Sequence, residues 1–181
     1  MNATITSTAH YVPEKVLTNS DLEKLVDTSD EWIKSRVGIN QRHVVSDGEA
    51  SSDMSTKVAH SLLEKRGISA ANIDVIIIGT VTPDHPTPST AAIVQNNIKA
   101  ENAWAFDLSA ACSGFLYALE TGAKFIESGQ YKTIMVIGVD TMTSILDFED
   151  RETCIIFGDG AGGVILEASK SNTGILGSVL K

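Results

Sequence analysis

The sequence has little of what disulfide-rich, metal-binding and membrane-spanning proteins are built from. Its 181 residues include only two cysteines, Cys112 and Cys154, and four scattered histidines. This content provides neither a disulfide framework nor the ligand spacing of a metal site, so we expect no metal. No apolar run approaches the roughly 20 residues that a membrane-spanning helix needs. Residues 1–8 show neither the basic nor the apolar segment of a secretory signal, and we therefore expect a cytoplasmic protein.

Positive charge is scarce as well. The chain has 14 Lys and Arg against 23 Asp and Glu, which gives a formal net charge of −9. This balance argues against a nucleic-acid-binding surface, although a local cationic patch could still bind an anionic ligand. No repeat, low-complexity tract or linker divides the chain, and 181 residues are enough to bury a core. We therefore expect one domain over residues 1–181.

Apolar, mostly β-branched runs alternate with amphipathic helical patterns along the chain. Residues 73–79, Trp104–Leu108 and 133–138 are typical of buried strands, and residues 53–66 and 114–128 of helices. Such alternation predicts an α/β fold with a mixed, mostly parallel central sheet covered by helices. The last predicted strands, at residues 154–157, 163–166 and 175–180, follow one another without helices, so we expect that edge of the sheet to be antiparallel. The loop 82–88 carries three of the four prolines and is not expected to be regular.

Cys112 lies among small residues between a predicted strand and a predicted helix. The N–H groups at a helix N-terminus favour a thiolate, which is a nucleophile suited to accept an acyl group. A lone cysteine among alanines is, however, more often a packed core residue. The local pattern alone leaves both interpretations open.

Other polar and glycine-rich positions also allow two interpretations. The segment 158–163 is rich in glycine, but β-branched residues rather than a helix follow it, which indicates a tight turn near packed backbone or a site wall. Asp107, Asp159 and His85 are candidate catalytic groups, although bonding to loop backbone is the commoner use of such residues. Trp32 and Arg36 share one face of a short helix and could clamp a flat aromatic ring, or Trp32 could be a core residue.

Three motifs together resemble those of β-ketoacyl-acyl-carrier-protein synthase III. They are Asp30-Glu-Trp-Ile with Arg36, Gly38-Ile39 and Arg42; Ala110-Ala-Cys-Ser-Gly-Phe115; and Ile156-Phe-Gly-Asp-Gly-Ala-Gly162. The resemblance implies a thiolase-like fold of two pseudo-repeated α/β halves. It also implies a cytoplasmic homodimer with no permanently bound cofactor, in which an acetyl group from acetyl-CoA condenses with malonyl-acyl-carrier protein to start fatty acid synthesis.

The resemblance assigns roles to particular residues. Cys112 matches the acyl-accepting nucleophile, and its backbone N–H would contribute to the oxyanion hole. Trp32 and Arg36 match residues that sandwich the CoA adenine, Thr28 lies beside them, and Arg151 matches a further CoA contact. The family's catalytic His and Asn lie in the second half, so residues 1–181 are expected to form the N-terminal half. Open alternatives are another CoA-dependent condensing enzyme, of polyketide-starter or hydroxymethylglutaryl-CoA synthase type, and a non-catalytic scaffold half.

Overall fold

The computed structural model describes residues 2–169, 171 and 173–180. The strands are β1 (Asn2–Tyr11), β2 (Lys15–Thr18), β3 (Gln41–Val44), β4 (Val75–Gly79), β5 (Trp104–Leu108), β6 (Thr133–Thr141) and β7 (Asp159–Ser169). The helices are α1 (Asn19–Leu22), α2 (Asp30–Val37), α3 (Ser51–Arg66), α4 (Thr90–Asn97), α5 (Gly114–Glu127) and α6 (Arg151–Cys154). Single 3₁₀ turns form at Ala70–Asn72, Ala111–Ser113 and Met142–Ser144.

Five strands form the central sheet in the order β1-β7-β6-β4-β5. Strand β4 pairs in parallel with both β5 and β6, whereas β7 pairs antiparallel with both β6 and β1. Four strands therefore point the same way, which confirms the predicted mixed, mostly parallel sheet. The antiparallel strand is not at the edge as expected, because the N-terminal strand β1 pairs with its outer side.

Helices cover the sheet on both faces, and β4 shows how the sequence produces this. Its residues alternate in direction: Ile76 and Ile78 pack in the core beneath α3 and α4, while Val75 and Ile77 pack beneath α5. All four are fully buried, as the continuous β-branched run predicts for a central strand. Burial of each such side chain stabilises the fold by about 1.5–3 kcal/mol.

A smaller unit packs beside the sheet. Strands β2 and β3 form an antiparallel two-stranded sheet, with α1 and α2 between them in the chain, and α1, α2 and α6 pack around it. Its core consists of Leu22, Ile33, Cys154 and Ile155. Burial raises the pKa of the Cys154 thiol, so this cysteine is kept neutral and packed.

Three local predictions near the end of the chain were wrong. Residues 154–157, expected to be extended, instead contain the end of α6 and a turn. The glycine-rich segment is the beginning of β7 rather than a turn, because its glycines allow the neighbouring backbone to approach closely. Residues 175–180, expected to be a strand, have no regular structure. Within the described ranges, no helix has the length and apolar character that a membrane span requires.

A close backbone contact joins the end of β4 to the start of α5. A Cβ built on Gly79 would lie 2.7 Å from the carbonyl carbon of Gly114 and 2.9 Å from the nitrogen of Phe115. Since both partners are backbone atoms, they cannot move aside by a change of rotamer. Only glycine at position 79 allows α5 to begin where it does.

We predict that Gly79→Ala destabilises the protein by about 1–3 kcal/mol through overpacking, measured as a lower urea midpoint at constant m-value. Gly162→Ala is the matched control, since the nearest atom to a Cβ there is the Ala9 carbonyl oxygen at 3.8 Å. The explanation fails if Gly79→Ala unfolds at the same urea concentration as the control.

Candidate active site

Cys112 lies in the short turn between β5 and α5. Strand β5 ends at Leu108, the turn Ala111–Ser113 follows, and α5 starts at Gly114. Ala111, directly before the cysteine, has φ +47°, a left-handed conformation that costs a non-glycine residue on the order of 1 kcal/mol. The Cys112 side chain is exposed rather than packed, so the geometry favours the interpretation as a reactive thiol.

A cleft of about 720 Å³ opens in front of this turn. It lies where the carboxyl ends of β4 and β6 meet the beginning of β7, and its walls are mostly apolar. The lining residues are Gly79, Val81, Ala111, Cys112, Phe115, Gly138, Val139, Asp140, Met142, Phe157, Gly158, Gly160, Gly162 and Gly163. An apolar hollow beside a thiol is suited to hold an uncharged carbon chain or acyl group.

Asp140 fixes the loop that forms one wall of the cleft. Its Oδ1 accepts hydrogen bonds from the N–H of Val81 at 2.8 Å, the hydroxyl of Thr82 at 3.0 Å and the hydroxyl of Thr80 at 3.1 Å. The chain after β4 is therefore held over the end of β6. This carboxylate is a structural support of the cleft wall.

The two other carboxylates singled out in the sequence support backbone as well. Asp107 accepts from the N–H groups of Thr90 and Ala91, both at 2.8 Å, at the start of α4. Asp159, which is 6% exposed, accepts from the N–H groups of Val45 and Thr143, also at 2.8 Å. Both side chains therefore stabilise loops and helix ends. Of the two interpretations of Asp107 and Asp159, hydrogen bonding to loop backbone is the one that the structure supports.

His85 lies at the tip of the proline-rich loop. Its side chain is exposed and does not line the cleft. The base of the loop is held instead by α3, where the Ser51 hydroxyl donates to the Thr82 carbonyl at 2.7 Å and the Ser52 N–H to Asp84 at 2.9 Å. This position does not support a catalytic role of His85 at Cys112.

A second group of predicted residues comes together on the smaller unit. The guanidinium carbon of Arg151 lies 4.5 Å from the centre of the Trp32 ring, in a cation–π arrangement. Trp32 is 36% exposed, so its interpretation as a core residue is wrong. Arg36 is exposed one turn further along α2, and the Thr28 hydroxyl is buried without a hydrogen-bond partner among the described residues.

The two groups are neighbours along the chain. Arg151 begins α6, and only six residues later Phe157 lines the cleft, followed by Gly158. Six residues span at most about 20 Å when fully extended. A ligand with a flat ring at Trp32 and an extended arm could therefore reach the cleft.

Sequence reasoning missed several residues that line the cleft, notably Val81, Gly138, Asp140, Met142 and Phe157. One signal could have identified two of the glycines. Both Gly79 and Gly138 end apolar runs of parallel strands, and ligand clefts of α/β proteins lie at the carboxyl ends of such strands.

We predict that Asp159→Asn destabilises the protein by about 2 kcal/mol. Asparagine has a single side-chain oxygen, so one of the two N–H groups that Asp159 bonds loses its acceptor. The measurement is the free energy of unfolding in urea. Asp47→Asn, at an exposed site, should change it by less than about 0.5 kcal/mol. Equal effects of the two substitutions would show that the bonds to Val45 and Thr143 contribute nothing.

The sheet with helices on both faces and the cysteine at a strand-to-helix turn define a thiolase-like α/β fold. Two solved structures share it closely. The 3-oxoacyl-[acyl-carrier-protein] synthase III from Aquifex aeolicus matches with a TM-score of 0.91 and 46% identity, over 94% of this chain and 55% of that one. The priming β-ketosynthase from the R1128 polyketide pathway matches with a TM-score of 0.91 and 32% identity, over 93% of this chain and 51% of that one.

The sequence comparisons identify the family within this class of fold. The profile of the family described as 3-oxoacyl-[acyl-carrier-protein (ACP)] synthase III matches residues 106–181. The β-ketoacyl-[acyl-carrier-protein] synthase III of Chlorobaculum tepidum is 62% identical over 170 residues, which are 93% of this chain and 52% of that protein. The chain belongs to the β-ketoacyl-acyl-carrier-protein synthase III family, and it spans about half the length of the curated relatives it matches.

Proposed function

We propose that this chain carries the acyl-accepting half of the site of a β-ketoacyl-acyl-carrier-protein synthase III. The Cys112 thiolate attacks the thioester carbonyl of acetyl-CoA, a bond forms between its sulfur and the acetyl carbon, and CoA leaves as the thiolate. In the second step malonyl-acyl-carrier protein loses carbon dioxide. The resulting carbanion attacks the acetyl-Cys112 carbonyl and releases the cysteine as acetoacetyl-acyl-carrier protein forms.

One observation carries this proposal: the exposed Cys112 follows a strained residue and opens into a mostly apolar cleft of about 720 Å³. A thiol buried for packing would instead resemble Cys154, which is fully buried. The strained backbone at Ala111 is also a feature that occurs preferentially at functional sites. The short side chains around the thiol leave room for a thioester to approach.

For acetyl-CoA we propose a binding site formed by Thr28, Trp32, Arg36 and Arg151. The Arg151 guanidinium already lies over the Trp32 indole, so an adenine ring would meet a flat aromatic face and a planar cation. Such stacking and charge suit a nucleotide bearing phosphates. No permanently bound cofactor is part of the proposal, because acetyl-CoA enters and leaves as a substrate.

Residues 1–181 would form the N-terminal half of the complete enzyme. This assignment is supported by the match to about half the length of the relatives. The resemblance assigns the catalytic His and Asn to the other half, so we propose that acylation of Cys112 uses the residues described above and condensation needs both halves. The acyl-carrier protein is the proposed protein partner, and we propose the cytoplasm as the location.

A homodimer is also part of the proposal. Strand β5 lies at the edge of the central sheet. Its first residue, Trp104, is 41% exposed and stacks on Phe106 of the same strand with a ring separation of 5.4 Å. An unpaired strand edge beside an exposed aromatic patch is a surface suited to pair with a second copy.

A second candidate differs in the acyl primer. The R1128 protein is a priming β-ketosynthase of a polyketide pathway, and its structure matches this chain as well as the Aquifex aeolicus structure does by TM-score. The higher identity to the Aquifex aeolicus protein favours the fatty acid function. Competition between acetyl-CoA and longer acyl-CoA esters for Cys112 would distinguish the two.

We predict that incubation of the folded protein with acetyl-CoA places one acetyl group on Cys112, detected by peptide mass spectrometry. Cys112→Ala should remove the adduct, because the nucleophile is gone. Cys154→Ala is the matched control and should retain the adduct. An unmodified Cys112 in the folded wild-type protein, or an acetyl group still present in Cys112→Ala, would contradict the acyl-transfer function.

We predict that Trp32→Ala and Arg151→Ala each raise the acetyl-CoA concentration for half-maximal acylation by about tenfold, the equivalent of roughly 1.4 kcal/mol. The double variant should lose less than the sum, because each residue acts by stacking with the other. Lys24→Ala, which removes an exposed cation from the same unit, is the control and should leave this concentration unchanged. Additive losses in the double variant would show that the two residues bind independently.

A further inference from the structure

Arg42 is a buried cation whose role the proposed reaction does not explain. Its side chain is only 4% exposed, and it forms no ion pair with a carboxylate within the described ranges. Burial lowers the pKa of its guanidinium, which reflects the cost of removing the charge from water. Such a costly arrangement is expected where the fork-shaped geometry of arginine fixes other groups.

The two terminal nitrogens of Arg42 connect elements that are distant in sequence. Nη1 donates to the side-chain oxygen of Asn19 at 2.7 Å, and Nη2 donates to the backbone carbonyl of Ile155 at 2.6 Å. Ile155 directly follows α6, the helix that begins with Arg151. One end of Arg42 therefore holds the helix that carries the cation of the Trp32–Arg151 pair.

Asn19 extends the connection to α2, the helix that carries Trp32. Its side-chain amide nitrogen donates to Asp30 Oδ1 at 2.9 Å and to the Ile39 carbonyl at 2.9 Å. Asp30 is the first residue of α2 and Ile39 lies just after its end. Since Asn19 is 1% exposed, water does not compete for these bonds.

The stem of Arg42 also touches the wall of the Cys112 cleft. A Cβ on Gly158 would lie 2.8 Å from the Arg42 Cβ and 3.1 Å from the His43 carbonyl oxygen. Gly158 lines the cleft, so the same side chain contacts both the wall and the support of the Trp32–Arg151 pair.

We propose that Arg42 is a positioning residue: together with Asn19 it sets the spacing of α2 and α6, and therefore the stacking of Arg151 on Trp32. The inference rests on the proposed function in so far as this pair binds acetyl-CoA. The connection itself, from Asp30 through Asn19 and Arg42 to Ile155, depends only on the contacts given above.

The test begins without any ligand. In a Trp104→Phe background Trp32 is the only tryptophan, and acrylamide quenching of its fluorescence reports how far Arg151 covers the ring. We expect Arg42→Lys to increase quenching in the same direction as Arg151→Ala, because an ammonium cannot reproduce the arginine fork. Arg66→Met, which breaks a surface ion pair with Glu167, is the control and should leave quenching unchanged.

A second variant separates positioning from simple stabilisation. Asn19→Asp keeps an acceptor for Arg42 and adds an opposite charge, but it removes the amide donor to Asp30 and Ile39. If Arg42 acts through the connection, Asn19→Asp also uncovers Trp32. Unchanged Trp32 quenching in Arg42→Lys and in Asn19→Asp, measured well below their unfolding temperatures, overturns the proposal.

The half-saturating concentration for Cys112 acylation distinguishes this proposal from the proposed function. We expect Arg42→Lys to raise the acetyl-CoA requirement several-fold, while alkylation of Cys112 by iodoacetamide keeps its rate. Changed quenching with an unchanged acetyl-CoA requirement would support the positioning role and overturn the assignment of the Trp32–Arg151 pair to CoA.

Discussion

Backbone contact between Gly79 and Gly114 is the constraint on which the position of Cys112 depends. The end of β4 and the start of α5 touch without an intervening side chain, so the helix begins directly over the carboxyl ends of the parallel strands. Cys112 precedes that helix by two residues and is therefore held at the mouth of the cleft. The sheet determines where the thiol lies, and the exposed Cys112 follows directly after the left-handed Ala111.

A second support lies where β7 begins. Gly158 packs against the stem of Arg42, and the next residue, Asp159, holds the backbone of Val45 and Thr143. Gly158 also lines the cleft, and both positions contact the end of the smaller unit around β3, Gly158 at Arg42 and Asp159 at Val45. We propose ligand binding at the Trp32–Arg151 pair and acyl transfer at the Cys112 cleft. The backbone at the beginning of β7 supports both groups and therefore helps to fix the distance between them.

Most of the fold follows from local patterns, since β-branched runs and capped amphipathic segments specify their own structure. Strand β4 lies within the predicted run 73–79, and the predicted short helix that carries Trp32 and Arg36 is α2. The errors fall where tertiary contacts override the local pattern. Glycines typical of a turn form strand in β7 because β1 and β6 supply pairing on both sides. Likewise, only the fold shows that Arg151 reaches Trp32, a residue more than 100 positions earlier.

The acidic character of the chain raises the question of why Arg151 stays available to an anionic ligand. Four acidic residues surround it in sequence, at positions 147, 149, 150 and 152. Two of these carboxylates are already used by backbone: Asp150 accepts from the N–H of Glu152 at 2.9 Å, and Asp147 from that of Glu149 at 2.8 Å. Because Asp150 caps the start of α6 and Asp147 bonds the backbone just before it, the guanidinium is left to lie over the Trp32 ring. A net charge of −9 is therefore compatible with a cationic binding site, provided that nearby carboxylates are held by backbone N–H groups.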